Sequence, residues 1–518
     1  MTHTRVLVFL LLTVAATAGG GIGEATKRLR RAYGPGGTAT ERSAAIAFVG
    51  DADCPEAAVI LTDLWERLGR GLAKKRRELY QARSKARVLR KKRRQTPRKA
   101  GGTATQLDDL ERKIVVLNDA LAAAELEQAN VVRALEGMKA PAVIAWMGAV
   151  GFDRTKSAAL RTLFARKAAG SEAGPAVLLA RLKTARRPEQ AIPILRALAG
   201  RDAFDAGDAL PVLIRFLTSS DWGVRVAAGH ALAVAAEPAS IPPLIRALTK
   251  EQKASRAQRE LTRALTKLTG QNLGPYPDAW KKWWRDHEAA VFDGKVELGK
   301  GKLPADRKLD QGRFYGIPQE ADRIIYVFDQ SGSMDVSMLN PKFVEGGAVP
   351  AEDDEDSRYD AAKRELVSAM RRLRRSSRFA LITYASHVTP FHDKLVDAGK
   401  DAALAVEVHL DQTGPAGSTN IYAALDFALR LANVHPDSKP GVAAADAIFL
   451  ISDGSPTNSK GKTEDPERTL QAVREWNALQ RVAIHTIGIG KSHSADFLRR
   501  LASENGGVYY AVLPKKHK

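Results

Sequence analysis

The chain has 518 residues, enough for two to four domains, and a composition of 44% apolar and 27% charged residues excludes wholesale disorder. Its one cysteine, Cys54, excludes an intramolecular disulfide, a Cys-based zinc site and an iron–sulfur cluster. The formal charge of +21 is uneven: residues 61–100 hold 16 Lys/Arg against three acidic residues, a local +13.

At the N-terminus, His3 and Arg5 precede the apolar stretch from Val6 to Ala15, followed by Ala16-Thr17-Ala18 and three glycines. A short positive region, an apolar core and small residues predict a signal peptide over residues 1–18. The span is short for a transmembrane helix of about 20 residues, and an uncleaved anchor is the alternative. No Cys follows the apolar core, which excludes lipoprotein processing. Export to a bacterial periplasm, cell envelope or exterior is therefore expected.

Residues 41–138 are expected to be a basic helical hairpin or coiled coil. Leu61, Leu64, Leu68, Leu72 and Leu79 mark one helical face from about Glu56 to Leu89. Pro97, Gly101 and Gly102 stop that helix. Leu107, Leu110, Ile114, Leu117, Leu121, Ala124, Val131 and Leu135 then form a heptad seam broken by Gln128. The two stripes would be buried equally by folding back or by self-association, and both stay open. Clusters such as Lys74-Lys75-Arg76-Arg77 and Lys91-Lys92-Arg93-Arg94 suit an anionic envelope polymer or lipid, or a solvated helix face. No reading helix or aromatic stacking platform accompanies them, so nucleic acid is not the expected partner.

Residues 141–293 are rich in Ala and Leu. The phrases Ile192–Leu198, Leu210–Leu217 and Pro242–Leu248 are alike, the last two about 32 residues apart, near the length of a two-helix repeat. Between them, Asp221 can cap a helix in which Val224, Ala228 and Leu232 face inward. The Asp221-Trp222-Gly223-Val224-Arg225 phrase resembles the HEAT repeat family, which implies a stacked helical scaffold; an irregular bundle is the alternative. Trp280, Trp283 and Trp284 share a helical face that caps the open end or offers an aromatic ligand platform. Residues 294–319, with several Gly, Pro and Lys, read as a linker.

From 320 to 515 strands and helices alternate. Strands are predicted at 323–328, 379–384, 447–451, 482–487 and 508–512, and helices near 359–375, 420–432, 466–480 and 494–504. A more polar stretch, Val388 to Leu395, is expected as an edge strand. Apolar strands without alternation are covered on both faces, so the fold class is multidomain: helical regions, then a doubly wound α/β sheet.

Two strands deliver chemistry to the carboxyl rim of that sheet, where open α/β sheets bind ligands. The run Ile324–Phe328 ends in Asp329-Gln330-Ser331-Gly332-Ser333, and Ala447–Ser452 ends in Asp453-Gly454. Thr419 follows Gly417-Ser418 just before a helix. All five donors are hard oxygens, which suits Mg²⁺ or Mn²⁺ rather than zinc. Asp329, Ser331, Ser333, Thr419 and Asp453 together resemble the metal-ion-dependent adhesion site of the von Willebrand factor type A (vWA) family. The resemblance implies that the three hydroxyls touch the ion and the two carboxylates act wholly or partly through water. It also implies a partner Glu or Asp completing the coordination. Gly332 and Gly417 let the backbone turn tightly there. Asp335 is a candidate adjacent ligand. The run Glu352-Asp353-Asp354-Glu355-Asp356 departs from the compact family pattern, and reads as a Ca²⁺ ligand, a contact for a basic partner or the basic helix, or a solvated loop.

A catalytic reading finds little support. Ser331 lacks a Gly-x-Ser-x-Gly context, and His387, His392 and His409 lie at no ligand spacing. His485 falls inside a predicted buried strand, and Gly488-Ile489-Gly490 lacks the third glycine of a dinucleotide loop. The sequence therefore predicts a non-enzymatic, cation-dependent protein-binding module on a helical scaffold. The alternative is a structural envelope scaffold whose vWA domain docks without functional metal.

Overall fold

The structure, a computed structural model, describes residues 20–95, 101–252, 255–301, 313–338, 343–344, 347–348, 356–435, 438, 443–491 and 493–513. The expected signal peptide and the acidic run 352–355 lie outside these. The chain forms two compact units, Met1–Arg181 and Leu182–Lys518. The expected repeat region 141–293 straddles that division.

In the first unit, helices Gly20–Ala32 and Ala39–Asp51 precede two long helices, Pro55–Gln95 and Gly101–Gly137. The long pair folds back as an antiparallel hairpin. Arg76 pairs with Glu125 at 3.0 Å, Arg83 Nη2 donates to Asn118 Oδ1 at 3.2 Å, and Arg90 pairs with Glu111 at 2.8 Å. Each step of seven along the first helix moves seven back along the second, the signature of antiparallel heptads. Leu72, Leu79 and Leu121 fill the seam. Gln128, the break in the heptads, is buried and donates to the Trp65 carbonyl at 3.3 Å. Within one chain the seam is closed by the hairpin.

In the second unit, helices Pro188–Ala199, Trp222–Ala235 and Arg256–Thr269 pack in succession as one layer, with Leu210–Phe216 and Ile241–Lys250 behind them. Asp221 Oδ1 accepts from the Gly223 and Val224 N–H groups at 2.9 and 3.2 Å, and Val224, Ala228 and Leu232 are buried. Arg225 makes a two-point bond to Glu251, tying consecutive repeats together. The Pro277–Phe292 helix packs on Ile241–Lys250, with Trp280 fully buried and its Nε1 donating to the Gly274 carbonyl. Trp280 and Trp283 are thus spent on packing.

The segment expected as the linker 294–319 is corrected at its end. β1 (Arg313–Phe314) and β2 (Ile317–Pro318) form a two-residue hairpin across Tyr315 and Gly316, both at positive φ (47° and 76°). That is the backbone of a mirror-image tight turn, so the glycine signals a hairpin. Buried Phe314 meets Tyr326 and Phe449 edge-on at 5.6 and 5.7 Å, inside the core of the sheet domain.

The main sheet contains β3 (Arg323–Asp329), β6 (Arg378–Tyr384), β7 (Val388–Pro390), β8 (Val396–Asp397), β9 (Ala447–Ser452), β10 (Ala483–Ile489) and β11 (Tyr509–Val512), while β4 (Phe343–Val344) and β5 (Gly347–Ala348) form a separate pair. The order is β11-β10-β9-β3-β6-β7, parallel from β11 to β6, with β7 and β8 antiparallel to β6. Ile325 and Val327 enter the core on one face, Ile324, Tyr326 and Phe328 that on the other. Helix Lys400–Gln412 was not expected. Its Val406–Leu410 stretch alternates like a strand, but Ala403, Val406 and Leu410 are the buried stripe of a helix.

The amino edge of this sheet is a layer of charge. Arg323 grips Asp446, and the repeat helices join in: Arg256 Nη1 donates to the Arg481 carbonyl at 2.9 Å, Arg481 pairs with Asp221, and Arg263 pairs with Glu320 at 3.1 Å. The HEAT-like layer is thus fastened to the end of the strands opposite the rim.

Asp221 has two duties, capping a helix and holding Arg481. Asp221→Ala should cost about 2 kcal/mol in urea denaturation, and Asp221→Asn, which keeps the cap, about half. Equal losses would show that the cap contributes nothing, and an unchanged Asp221→Asn that the ion pair contributes nothing. At the same edge, His485 stacks on Phe449 at 4.6 Å and its Nδ1 accepts from the Val508 N–H. Burial, then Arg256 and Arg263, pull His485 down to about 4. With the folded value below the unfolded value of about 6.5, stability is complete above pH 6.5 and declines toward pH 4, by up to about 3 kcal/mol. His485→Gln should flatten that decline in pH-dependent denaturation.

Candidate functional site

Parallel strands end side by side, so β3 and β9 present Asp329 and Asp453 at one rim. Both carboxylates are buried, which is tolerable only if each is fully hydrogen-bonded. Asp329 Oδ1 accepts from the Ser331 N–H at 2.8 Å, and Oδ2 from Ser452 Oγ at 2.9 Å and the Tyr384 hydroxyl at 3.1 Å. Asp453 Oδ1 accepts from Ser333 Oγ at 2.8 Å, and Ser331 and Ser333 Oγ lie 3.2 Å apart. The other oxygen, Oδ2, takes Arg358 Nη1 at 2.7 Å, with both side chains at or below 1% exposure.

Backbone bonds stitch the three rim loops together. The Gly332 N–H donates to the Gly417 carbonyl at 3.0 Å and the Ala416 N–H to the Gln330 carbonyl at 2.7 Å. Gly417 has φ +81°, and a Cβ there would stand 2.6 Å from Ser386 Oγ, so glycine is required. Thr419 is buried, and its N–H donates to Thr457 Oγ1 at 2.7 Å. A Cβ on Gly454 would stand 3.3 Å from Thr419 Oγ1, which places that hydroxyl beside the Asp453 loop. All five donors expected from sequence therefore meet at one rim. Asp335 closes the short turn Gly332–Asp335, and Asp356 from the acidic run pairs with Arg364.

Four participants were missed by sequence reasoning: Arg358, Tyr384, Ser452 and Gly490. Ser452 left a signal, standing at the end of β9 next to Asp453, and Gly490 closed the Gly488-Ile489-Gly490 run. The others come from elements whose convergence only the fold creates.

Burial pushes the Asp329 carboxyl up, and the charge of Asp453 adds to this, while the Ser331 and Ser452 bonds oppose it. Burial also raises Asp453, with Arg358 and Ser333 pulling it partly back. In type the donors fit a hard divalent cation: Ser331, Ser333 and Thr419 would hold it, with Asp329 and Asp453 acting behind them. Arg358 sets a fixed positive charge against that fit. Among the described residues no three His, Cys, Asp or Glu side chains gather as a metal cluster. His392 and His409 are structural: His392 Nδ1 accepts from the Leu381 N–H, and His409 stacks on Phe391 at 4.4 Å.

Comparison with known proteins agrees with this architecture. Residues 351–511 match the von Willebrand factor type A domain and residues 175–266 match HEAT repeats. The first match begins beyond Ser333, so the first three donors are placed by β3 rather than by the family match. Inter-alpha-trypsin inhibitor heavy chain H2 of Mesocricetus auratus is 27% identical over 163 residues, 29% of this chain and 16% of that protein. The same protein of Homo sapiens is 25% identical over 235 residues, 42% of this chain and 21% of that one. The chain thus spans less than a quarter of the length of these curated relatives. Among solved structures, a von Willebrand factor type A protein from Catenulispora acidiphila shows 18% identity and a TM-score of 0.29, covering 37% of this chain and 39% of its own. Proximal thread matrix protein 1 from the mussel byssus, with a zinc-occupied adhesion-site motif, shows 21% and 0.26, covering 37% and 41%. The chain carries a C-terminal vWA domain and a central HEAT-repeat region, an architecture of protein-interaction modules.

Removing Asp453 strands Arg358 as a buried charge. Asp453→Ala should therefore cost about 3–5 kcal/mol in urea denaturation, alike in chelator and in Mg²⁺. Ser333→Ala, which loses one hydrogen bond, should cost about 1 kcal/mol. A neutral Asp453→Ala would mean that the ion pair does not form.

Proposed function

We propose that this chain is an exported, non-enzymatic scaffold that docks a partner protein at the carboxyl rim of its vWA domain, and does so without requiring a metal. The observation that carries this reading is the closed network at the rim. Every carboxylate oxygen there already meets a donor from the protein, Arg358 included. The HEAT layer is fastened to the amino edge, so the rim loops, with Ala416, Gly417 and Ser455 exposed, are the face left to a partner. Export rests on the apolar leader at residues 1–18.

A second reading keeps the cation. The Ser331 and Ser333 hydroxyls 3.2 Å apart, with Thr419 beside Gly454, form a hydroxyl face to which Mg²⁺ or Mn²⁺ could bind and recruit an acidic side chain. The N-terminal hairpin adds a subsidiary contact. Lys75, Arg76, Arg83 and Arg90 are engaged within it, while Lys74, Arg77 and Lys85 are exposed to an anionic polymer or lipid.

Photo-crosslinking on the full chain separates these readings. A photoreactive residue at Ala416 or Ser455 should trap a defined host protein, and one at Lys400, on the flank of the sheet, should not. Adducts that survive chelator support the scaffold, and adducts lost in chelator support the cation-dependent reading. No rim-specific adduct would remove the rim as the docking face.

A further inference from the structure

Arg358 is the first residue of the Arg358–Arg371 helix, and Ser357 caps that helix by accepting from the Asp360 N–H. Its own N–H donates to the Val336 carbonyl at 3.0 Å, tying the helix start to the loop that carries Ser331 and Ser333. The guanidinium then crosses the end of β10 over Gly490, which has φ +74°. A Cβ at Gly490 would lie 2.8 Å from Arg358 Nε and 2.9 Å from Cζ. The position that sequence reading discards as a failed dinucleotide loop is the seat of an arginine.

From that seat Nη1 reaches Asp453 Oδ2, and Asp453 Oδ1 holds the Ser333 hydroxyl, which adjoins Ser331. A chain of contacts therefore runs from a fixed cation to the two hydroxyls expected to touch a metal. With both aspartates ionised, the rim and Arg358 together carry one negative charge, where a rim without the arginine would carry two. In a buried site that difference acts directly on any incoming divalent cation, because little solvent screens it.

We propose that Arg358 is the built-in counter-ion of the rim: a positioning residue that orients Asp453 and Ser333 without metal and holds the affinity for divalent cations low. The proposal deepens the scaffold reading and rests on it for its functional weight, since a rim organised from within can dock a partner whatever the cation supply. Its test involves no partner, so failure here and failure of the docking reading are separate results.

The full chain, its Arg358→Gln variant and its Arg358→Lys variant are stripped of metal. Mn²⁺ is then titrated by calorimetry, and thermal unfolding is followed in chelator and in Mn²⁺. The wild type should unfold at nearly the same temperature in both, with weak Mn²⁺ binding. Arg358→Gln should lose stability in chelator, bind Mn²⁺ at least about tenfold more tightly and recover stability with it. Arg358→Lys, which keeps the charge, should remain close to wild type in Mn²⁺ affinity. A merely structural arginine would lower the unfolding temperature without changing that affinity, and this outcome would overturn the proposal. Should Arg358→Gln fail to fold, the wild type and Arg358→Lys still decide. Clear stabilisation of the wild type by Mn²⁺, or an affinity gain in the lysine variant equal to a loss of charge, would sink the idea.

Discussion

Two carboxylates buried at the ends of neighbouring strands are the constraint on which the sheet domain turns. An ionised carboxyl removed from water costs several kcal/mol unless the protein replaces its hydration. Here the replacement comes from all around the rim: the Ser331 N–H, Ser452 and Tyr384 for Asp329, and Ser333 and Arg358 for Asp453. The two carboxylates and these donors belong to β3, β6, the end of β9, the loop after β3 and the start of a helix. Satisfying the pair therefore locks five segments into one arrangement, and the rigidity that suits a docking surface follows from electrostatic necessity.

The other end of the same strands answers a different demand. Strand starts leave charged side chains and backbone groups facing outward, and this chain turns them into a joint. Asp446, Asp322 and Glu320 on the sheet side face Arg256, Arg259 and Arg263 on the repeat layer, while Arg481 reaches the other way to Asp221. Such half-buried pairs give register more than energy. Because Asp221 also caps its helix, one of these contacts ties the start of a repeat helix directly to the joint.

In the first unit charge again does structural work. The excess of Lys and Arg suggests a surface for polyanions. Yet Arg76 is spent on buried Glu125, and Arg42 and the Tyr33 hydroxyl on Glu127. Burial, reinforced by Glu127, pushes the Tyr33 phenol far above its ordinary value. The net charge of a segment thus overstates what it offers outward, since part of it balances acids brought in from the facing helix.

How much of this the sequence determined depends on how local the signal was. Strand positions, the helical stripes and the five oxygen donors were legible, because a period of two or 3.6 residues and a polar cluster at a strand end are written in consecutive residues. The hairpin at Tyr315-Gly316 reads as linker in the sequence, since a glycine marks a break without saying whether the chain then pairs. The helix at Lys400–Gln412 went unassigned because its apolar residues fit two periods over a short window. Arg358 and Tyr384 left no trace at all, and Gly490 showed only as the end of a discarded glycine run. Nothing in an arginine at a helix start, or a glycine 132 residues later, says that one will lie on the other. Those pairings exist only once parallel strands bring their carboxyl ends together and two buried charges must find partners. The sequence by itself therefore determined which oxygens reach the rim; the tertiary structure decided that an arginine meets them there.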